Sequence, residues 1–212
     1  MNIITLLHKD YEIKKKEIRE RLDDFSAVWD ESEERVFSEL CFCICTPQSK
    51  AVYCDKAVRS LVLSGVLFKG REKDIRDNLK AVRFPNNKAG YIYRARLLFT
   101  DNGSLSVKKH IDPADIPGTR TWLFKNVKGL GMKEASHFLR NIGFGKEIAI
   151  VDVHILRKML YYGLLKEIPK TISAKVYVEL EDSIKGFSSK TGIRMDELDL
   201  LFWSQATGHI FK

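Results

Sequence analysis

The residues best suited to chemistry are a lysine and an aspartate 19 positions apart. Lys133 lies in Val127-Lys128-Gly129-Leu130-Gly131-Met132-Lys133-Glu134-Ala135-Ser136, where two glycines bracket one apolar residue. Glycine permits the positive φ angles that a tight helix-to-helix turn needs. It also lets a phosphate approach the backbone, and N–H groups opening the next helix can hold that phosphate. Gly129 and Gly131 are therefore candidate DNA contacts, although any helical hairpin can use glycine. Lys133 falls in the first turn of the second helix, where the macrodipole disfavours an ammonium. Lysine attacks only as the neutral amine, so a lysine nucleophile needs burial or neighbouring positive charge. The alternative reading of Lys133 is a phosphate contact or a solvated side chain.

The partner acid is embedded in Ile148-Ala149-Ile150-Val151-Asp152-Val153-His154-Ile155. An aspartate there is a good helix N-cap. A capping aspartate still has a second oxygen, which can face a cleft, stabilise positive charge developing on a sugar and move protons. His154 reads either as a phosphate contact or as a structural histidine.

The elements that position these residues have helical periodicity almost throughout. The pattern predicts a basic helix over 4–24, an apolar helix over 33–45, and a third with Ala51, Cys54, Ala57, Val58, Leu61 and Val62 at spacings of three and four. A charged surface helix is expected over 71–82, and another over KAGYIYRARLLFT, stopped at Asp101-Asn102-Gly103. HIDPADIPG reads as a loop. A short helix from Thr119 ends at KGLG, MKEASHFLRNIG begins the next, and Ile148–Val151 is a short β-branched run. Helices follow over VHILRKMLYYGLL, 172–188 and 195–206. The fold class is all-α.

Composition narrows the function. The 212 residues are 44% hydrophobic and 30% charged, as in an ordinary globular protein. No stretch approaches the roughly 20 apolar residues that cross a bilayer. The N-terminus has no basic lead-in or cleavage-like site, so a cytoplasmic, DNA-associated protein is expected, with no membrane partner. The net charge of +8 favours a polyanionic partner. Cys41, Cys43, Cys45 and Cys54 match no zinc or iron–sulfur spacing and read as core thiols.

LGMKEASHFLRNIGFGKEIAIVDVHILR resembles the signature of the helix-hairpin-helix DNA glycosylase superfamily, which includes endonuclease III: a Gly-x-Gly hairpin, a lysine two residues beyond it, and a Val-Asp-x-His segment further on. The resemblance implies a two-lobed helical fold that receives a flipped base between its lobes. A central lobe would cover 32–145, and residues 1–31 plus 146–212 would form the second. Lys133 would attack the sugar C1′ and form a Schiff base, Asp152 would assist glycosidic cleavage, and β-elimination would nick the strand. The hairpin carbonyls of Lys125, Val127 and Leu130 match positions that hold a monovalent cation; no other cofactor is implied.

With no cysteine after Cys54, the chain departs from the branch that carries an iron–sulfur cluster. RFPNNKAGYIYRAR (83–96) and the ending WSQATGHIFK resemble archaeal-type 8-oxoguanine DNA glycosylases/AP lyases. That resemblance implies base recognition by Phe84, Trp203 and the terminal carboxylate of Lys212. Gln48 matches the residue that fills the gap left by the flipped base. Phe84 and Trp203 read alternatively as core aromatics, Gln48 as a loop cap. The expected partner is duplex DNA containing 8-oxoguanine, bound by a monomer. Two other readings are a same-fold glycosylase for another damaged or mismatched base and a non-enzymatic DNA-binding module.

Overall fold

The computed structural model describes residues 2–212, and helices dominate it. In chain order they are α1 (Ile3–Val28), α2 (Glu33–Cys45), α3 (Ala51–Leu63), α4 (Val66–Lys69), α5 (Glu72–Asn78) and α6 (Pro85–Leu98). After the two-residue strands β1 (Thr100–Asp101) and β2 (Ser104–Leu105) come α7 (Ile116–Asn126), α8 (Met132–Asn141), α9 (Val153–Tyr161), α10 (Ala174–Thr191) and α11 (Met195–Thr207).

Local chemistry sets the boundaries that periodicity missed. Helix α7 begins at Ile116, inside the expected loop, because Asp115 accepts the Gly118 N–H (2.8 Å) and Pro117 suits a first turn. The charged 71–82 helix ends early, at Asn78. Phe84 then takes a left-handed conformation (φ 57°), and Pro85 starts α6 directly. A residue before proline is steered out of the right-handed helical region. Asn102 and Gly103 both have positive φ and turn β1 antiparallel onto β2, where only a helix stop was expected.

Buried apolar side chains form two clusters. One gathers α2, α3, α5, α6, α7 and α8 around Phe37, Leu40, Phe42, Leu61, Phe99 and Phe138. The other gathers α1, α9, α10 and α11 around Leu7, Ile18, Met159, Leu180 and Phe202. Helix α2 is buried from Val36 to Cys45, so all three of its cysteines are inside. With Cys54 they are free thiols pushed up by burial, Cys54 to about 11.

A buried polar clamp joins the two clusters. Arg120 on α7 pairs with Glu181 on α10, one contact at 2.7 Å. Glu181 also accepts the Ala149 N–H (2.7 Å). The Tyr177 hydroxyl donates to the Ala149 carbonyl (2.7 Å) and accepts the Val151 N–H (3.1 Å). The β-branched run has no partner strand: side chains of α10 satisfy both backbone groups of Ala149 and the Val151 N–H.

Candidate active site

The hairpin between α7 and α8 turns at Gly129 (φ 95°) and Gly131. A Cβ on Gly129 would meet the Tyr91 ring at 2.4 Å, so both backbone angle and space require glycine there. The carbonyls of Lys125 and Leu130 accept no main-chain hydrogen bond among the described residues, whereas that of Val127 accepts the Leu130 N–H (3.2 Å). Two of the three carbonyls matched to a cation are thus free to serve as ligands. These residues line a shallow depression with Tyr91, separate from the cavity described next.

That cavity, of about 800 Å³, is bounded by the 46–52 loop, α8, the start of α9, α11 and the C-terminus. It brings together Gln48, Lys133, Asp152, His154, Trp203 and Lys212. Phe84 is outside its lining and 49% exposed, with the Arg83 guanidinium over its ring.

Helix α8 presents Lys133, His137 and Arg140 to the cavity, and α11 presents Asp199, Trp203 and Thr207. Both sets follow helical spacing. The Lys133 ammonium lies 3.0 Å from Glu134, whose other oxygen accepts the Gly131 N–H (3.1 Å). One acid therefore caps α8 and holds the lysine at the cavity wall. Asp152 caps α9 through a single oxygen, Oδ1, which accepts the N–H groups of His154 (2.8 Å) and Ile155 (2.9 Å). Its capping role leaves Oδ2 available, and Asp152 lines the cavity.

The C-terminus is docked. Lys212 Nζ lies 2.8 Å from both Glu39 on α2 and Asp55 on α3, over the Phe42 ring. Burial works against the Glu39 carboxylate, but Lys212 and Arg35 outweigh it and hold the acid below its ordinary value. Asp55 behaves alike, with Lys212 and Arg59 opposing burial. Arg21 donates to the Phe211 carbonyl (3.1 Å).

Four contributors went unnoticed in the sequence. Lys88 is buried and its ammonium donates to the Cys45 carbonyl (2.6 Å), the Pro47 carbonyl (2.7 Å) and Ser49 Oγ (3.0 Å). Those contacts fix the loop that holds Gln48 at φ 56°. Ser49 Oγ also accepts the Arg83 N–H (3.0 Å), linking that loop to Phe84. Asp199, 3.6 Å from Arg140, is raised by burial to about 7 despite that arginine, with Asp152 and Asp196 adding to the rise. A second acid that exchanges a proton near neutral pH thus faces the cavity. His137 and Arg140 are buried there with unpaired nitrogens. The only sequence signal was their position on one face with Lys133.

Known proteins resemble this arrangement closely. The family profile described as 8-oxoguanine DNA glycosylase matches residues 18–193. An 8-oxoguanine DNA glycosylase/AP lyase of Fusobacterium nucleatum is 38% identical over 97% of this chain and 96% of its own. One of Korarchaeum cryptofilum is 36% identical over the full length of both. The crystal structure of Methanocaldococcus jannaschii 8-oxoguanine glycosylase/lyase in complex with DNA containing 8-oxoguanine superposes with a TM-score of 0.87 at 32% identity, covering 98% of this chain and 100% of that one. With its hairpin, lysine and capping aspartate arranged as described, the chain belongs to the 8-oxoguanine DNA glycosylase family.

Proposed function

We propose that the protein excises 8-oxoguanine from duplex DNA and nicks the strand as an AP lyase. The observation that carries this reading is the shared cavity of Lys133, Asp152, Trp203 and Lys212, in a chain related along its whole length to 8-oxoguanine DNA glycosylases/AP lyases.

In this reading the Lys133 ammonium leaves Glu134, loses a proton and attacks C1′. The bond from C1′ to the base nitrogen breaks, and the base departs with that electron pair and takes up a proton. Asp152 Oδ2 stabilises the positive charge that develops on the sugar and relays protons. Opening of the sugar ring gives a Schiff base between C1′ and Lys133. Removal of a C2′ proton then expels the 3′ phosphate, which nicks the strand by β-elimination. The terminal carboxylate of Lys212 accepts from the N1–H and N2–H₂ edge of the base. Trp203 and Phe84 stack on its faces, which requires Phe84 to close over the cavity from its exposed position. Gln48 fills the vacated stack, while Gly129, Gly131 and His154 contact phosphates. The carbonyls of Lys125, Val127 and Leu130 would hold a monovalent cation that adds positive charge beside the phosphate. The two apolar clusters support lobes at 32–145 and at 1–31 plus 146–212. The protein would act as a cytoplasmic monomer.

Borohydride trapping tests the reaction directly. A duplex with 8-oxoguanine opposite cytosine should yield a covalent protein–DNA adduct, and guanine or thymine glycol at the same site should not. Lys133→Gln should still bind the damaged duplex, with trapping and cleavage lowered by roughly a thousandfold or more. Parental cleavage by that variant would remove Lys133 from the nucleophile's role, and adducts only on abasic DNA would reassign the base.

A further inference from the structure

Three acidic side chains line the cavity, and two of them are already engaged. Glu134 caps α8 and holds the Lys133 ammonium, and Asp152 caps α9 through Oδ1. Asp199 on α11 differs. Its carboxylate completes no hydrogen bond among the described residues, and its ion pair with Arg140 is long, at 3.6 Å. The side chain keeps 10% of its surface open, one helical turn before Trp203 on the face that lines the cavity. Buried polar groups are ordinarily paired. An acid with free oxygens on a cavity wall is therefore placed to meet what enters the cavity.

The charges around Asp199 come from three directions. Arg140 and Lys133 act on it from α8, Asp152 from the head of α9, and Asp196 from its own helix. Arg21, on α1, acts in turn on Arg140. His137 and Lys212 line the same cavity. Burial is the strongest influence and pushes the Asp199 carboxyl up to about 7; the two acids add to that rise and the two cations oppose it. A carboxylate in this range is a stronger base than an ordinary one. It can also take up and release a proton in every turnover near neutral pH.

We propose that Asp199 is the catalytic base of the strand-nicking step and removes the C2′ proton from the Schiff base formed on Lys133. This proposal rests on the lyase reading above. Lys133 and Asp152 both act on the charge of Asp199, so the three groups share one stretch of wall around the sugar. The electron pair of the C2′–H bond forms C1′=C2′, and the pair of the C1′=N bond settles on the lysine nitrogen. Its return restores C1′=N, shifts the carbon double bond to C2′=C3′ and expels the 3′ phosphate with the C3′–O pair. Asp199 ends protonated and passes that proton to water. Asp152 remains with the charge on the sugar, and the terminal carboxylate of Lys212 with the base.

The test separates the steps by using two duplexes, one with 8-oxoguanine opposite cytosine and one with a preformed abasic site. Asp199→Asn keeps the shape of the side chain and removes the proton acceptor. Nicking of the abasic duplex should slow by roughly a hundredfold. Borohydride should still trap the Schiff base there at the parental yield or above, because the intermediate no longer drains. Single-turnover release of 8-oxoguanine should fall far less than nicking. Asp199→Glu, which restores a carboxylate, should regain part of the nicking rate. In the parental protein nicking should speed up as pH rises through about 7, where Asp199 loses its proton, and Asp199→Asn should lack that rise. Parental nicking by Asp199→Asn would overturn the assignment. Equal losses of base release, trapping and nicking would overturn it too, since a structural or base-reading role acts on all three. If that variant does not fold, a parental nicking rate that is flat from about pH 6 to 8 would have the same force. A parental protein that traps no adduct and nicks neither duplex would instead overturn the lyase reading on which the proposal rests.

Discussion

Two walls of the cavity are built on different principles. The wall with Lys133 and Asp152 comes from one short stretch of chain. A glycine hairpin, two helix caps and the clamp from Tyr177 and Glu181 hold it. The wall with Lys212 joins residues as far as 173 positions apart, and a buried ammonium shared by Glu39 and Asp55 holds it. The first depends on backbone geometry and tolerates isosteric change. The second depends on charges that must all be present, since removing one member of a buried set leaves the others uncompensated. On the proposed reading, chemistry and base reading are therefore separable, and a variant in one wall should spare the other.

The largest expected effect comes from deleting Lys212. Base excision should be abolished, because both the terminal carboxylate and the docked ammonium leave the pocket. Cleavage of a preformed abasic site should persist. Glu39 and Asp55 would lose their shared cation but keep Arg35 and Arg59, so the stability cost should stay below the roughly 3 to 5 kcal/mol of a fully unpaired buried charge, measurable by denaturant unfolding. The acid response has a defined sign. Both carboxyls are held below their ordinary values, so their contribution is complete above pH 4.5 and is lost as acid protonates them. The deletion should accordingly flatten the acid limb of the stability profile. A variant that still excises 8-oxoguanine would break the contrast between the two walls.

Asp152→Asn sharpens the same contrast from the other side. Asparagine caps a helix about as well as aspartate. Unfolding should therefore change little, while turnover falls by about a hundredfold or more on both duplexes, consistent with loss of a carboxylate at the reacting sugar. A large stability loss with catalysis intact would make Asp152 a structural cap only.

The difference between the walls also explains what was legible in the sequence. The hairpin, Lys133 and Asp152 are local, so their spacing, their glycines and the capping preference appear in one continuous segment. The all-α class followed from periodicity, which depends only on neighbours along the chain. Lys88, Asp199 and the Arg120–Glu181 clamp acquire meaning only when distant helices meet, and no local pattern marks them. The early start of α7 at Ile116 was readable in principle. Asp115 and Pro117 are the cap and first-turn residues, but two prolines and a glycine together suggested a loop. Phe84 shows the opposite limit: the fold places it at an exposed left-handed residue beside the cavity without bringing it into the lining.

The smallest expected effect concerns the loop that joins the two walls. Lys88 donates to three oxygens of the 45–49 segment and, through Ser49, ties Gln48 to the chain that precedes Phe84. Burial lowers its ammonium below the ordinary lysine value, yet those three acceptors still receive its hydrogens. Lys88→Met would remove the donors, leave the Pro47 carbonyl unpaired and cost about 1 to 3 kcal/mol. Gln48 is held at positive φ, which a non-glycine residue adopts only when its surroundings enforce it. Once the enforcement is gone, Gln48 should leave its strained conformation, and binding to damaged duplex should weaken several-fold, by about 1 kcal/mol. The single-turnover rate at saturating enzyme should be nearly unchanged, because Lys133 and Asp152 are held by other contacts. An equally large fall in that saturated rate would mean that the loop also positions the reacting groups, and the two walls would then act as one.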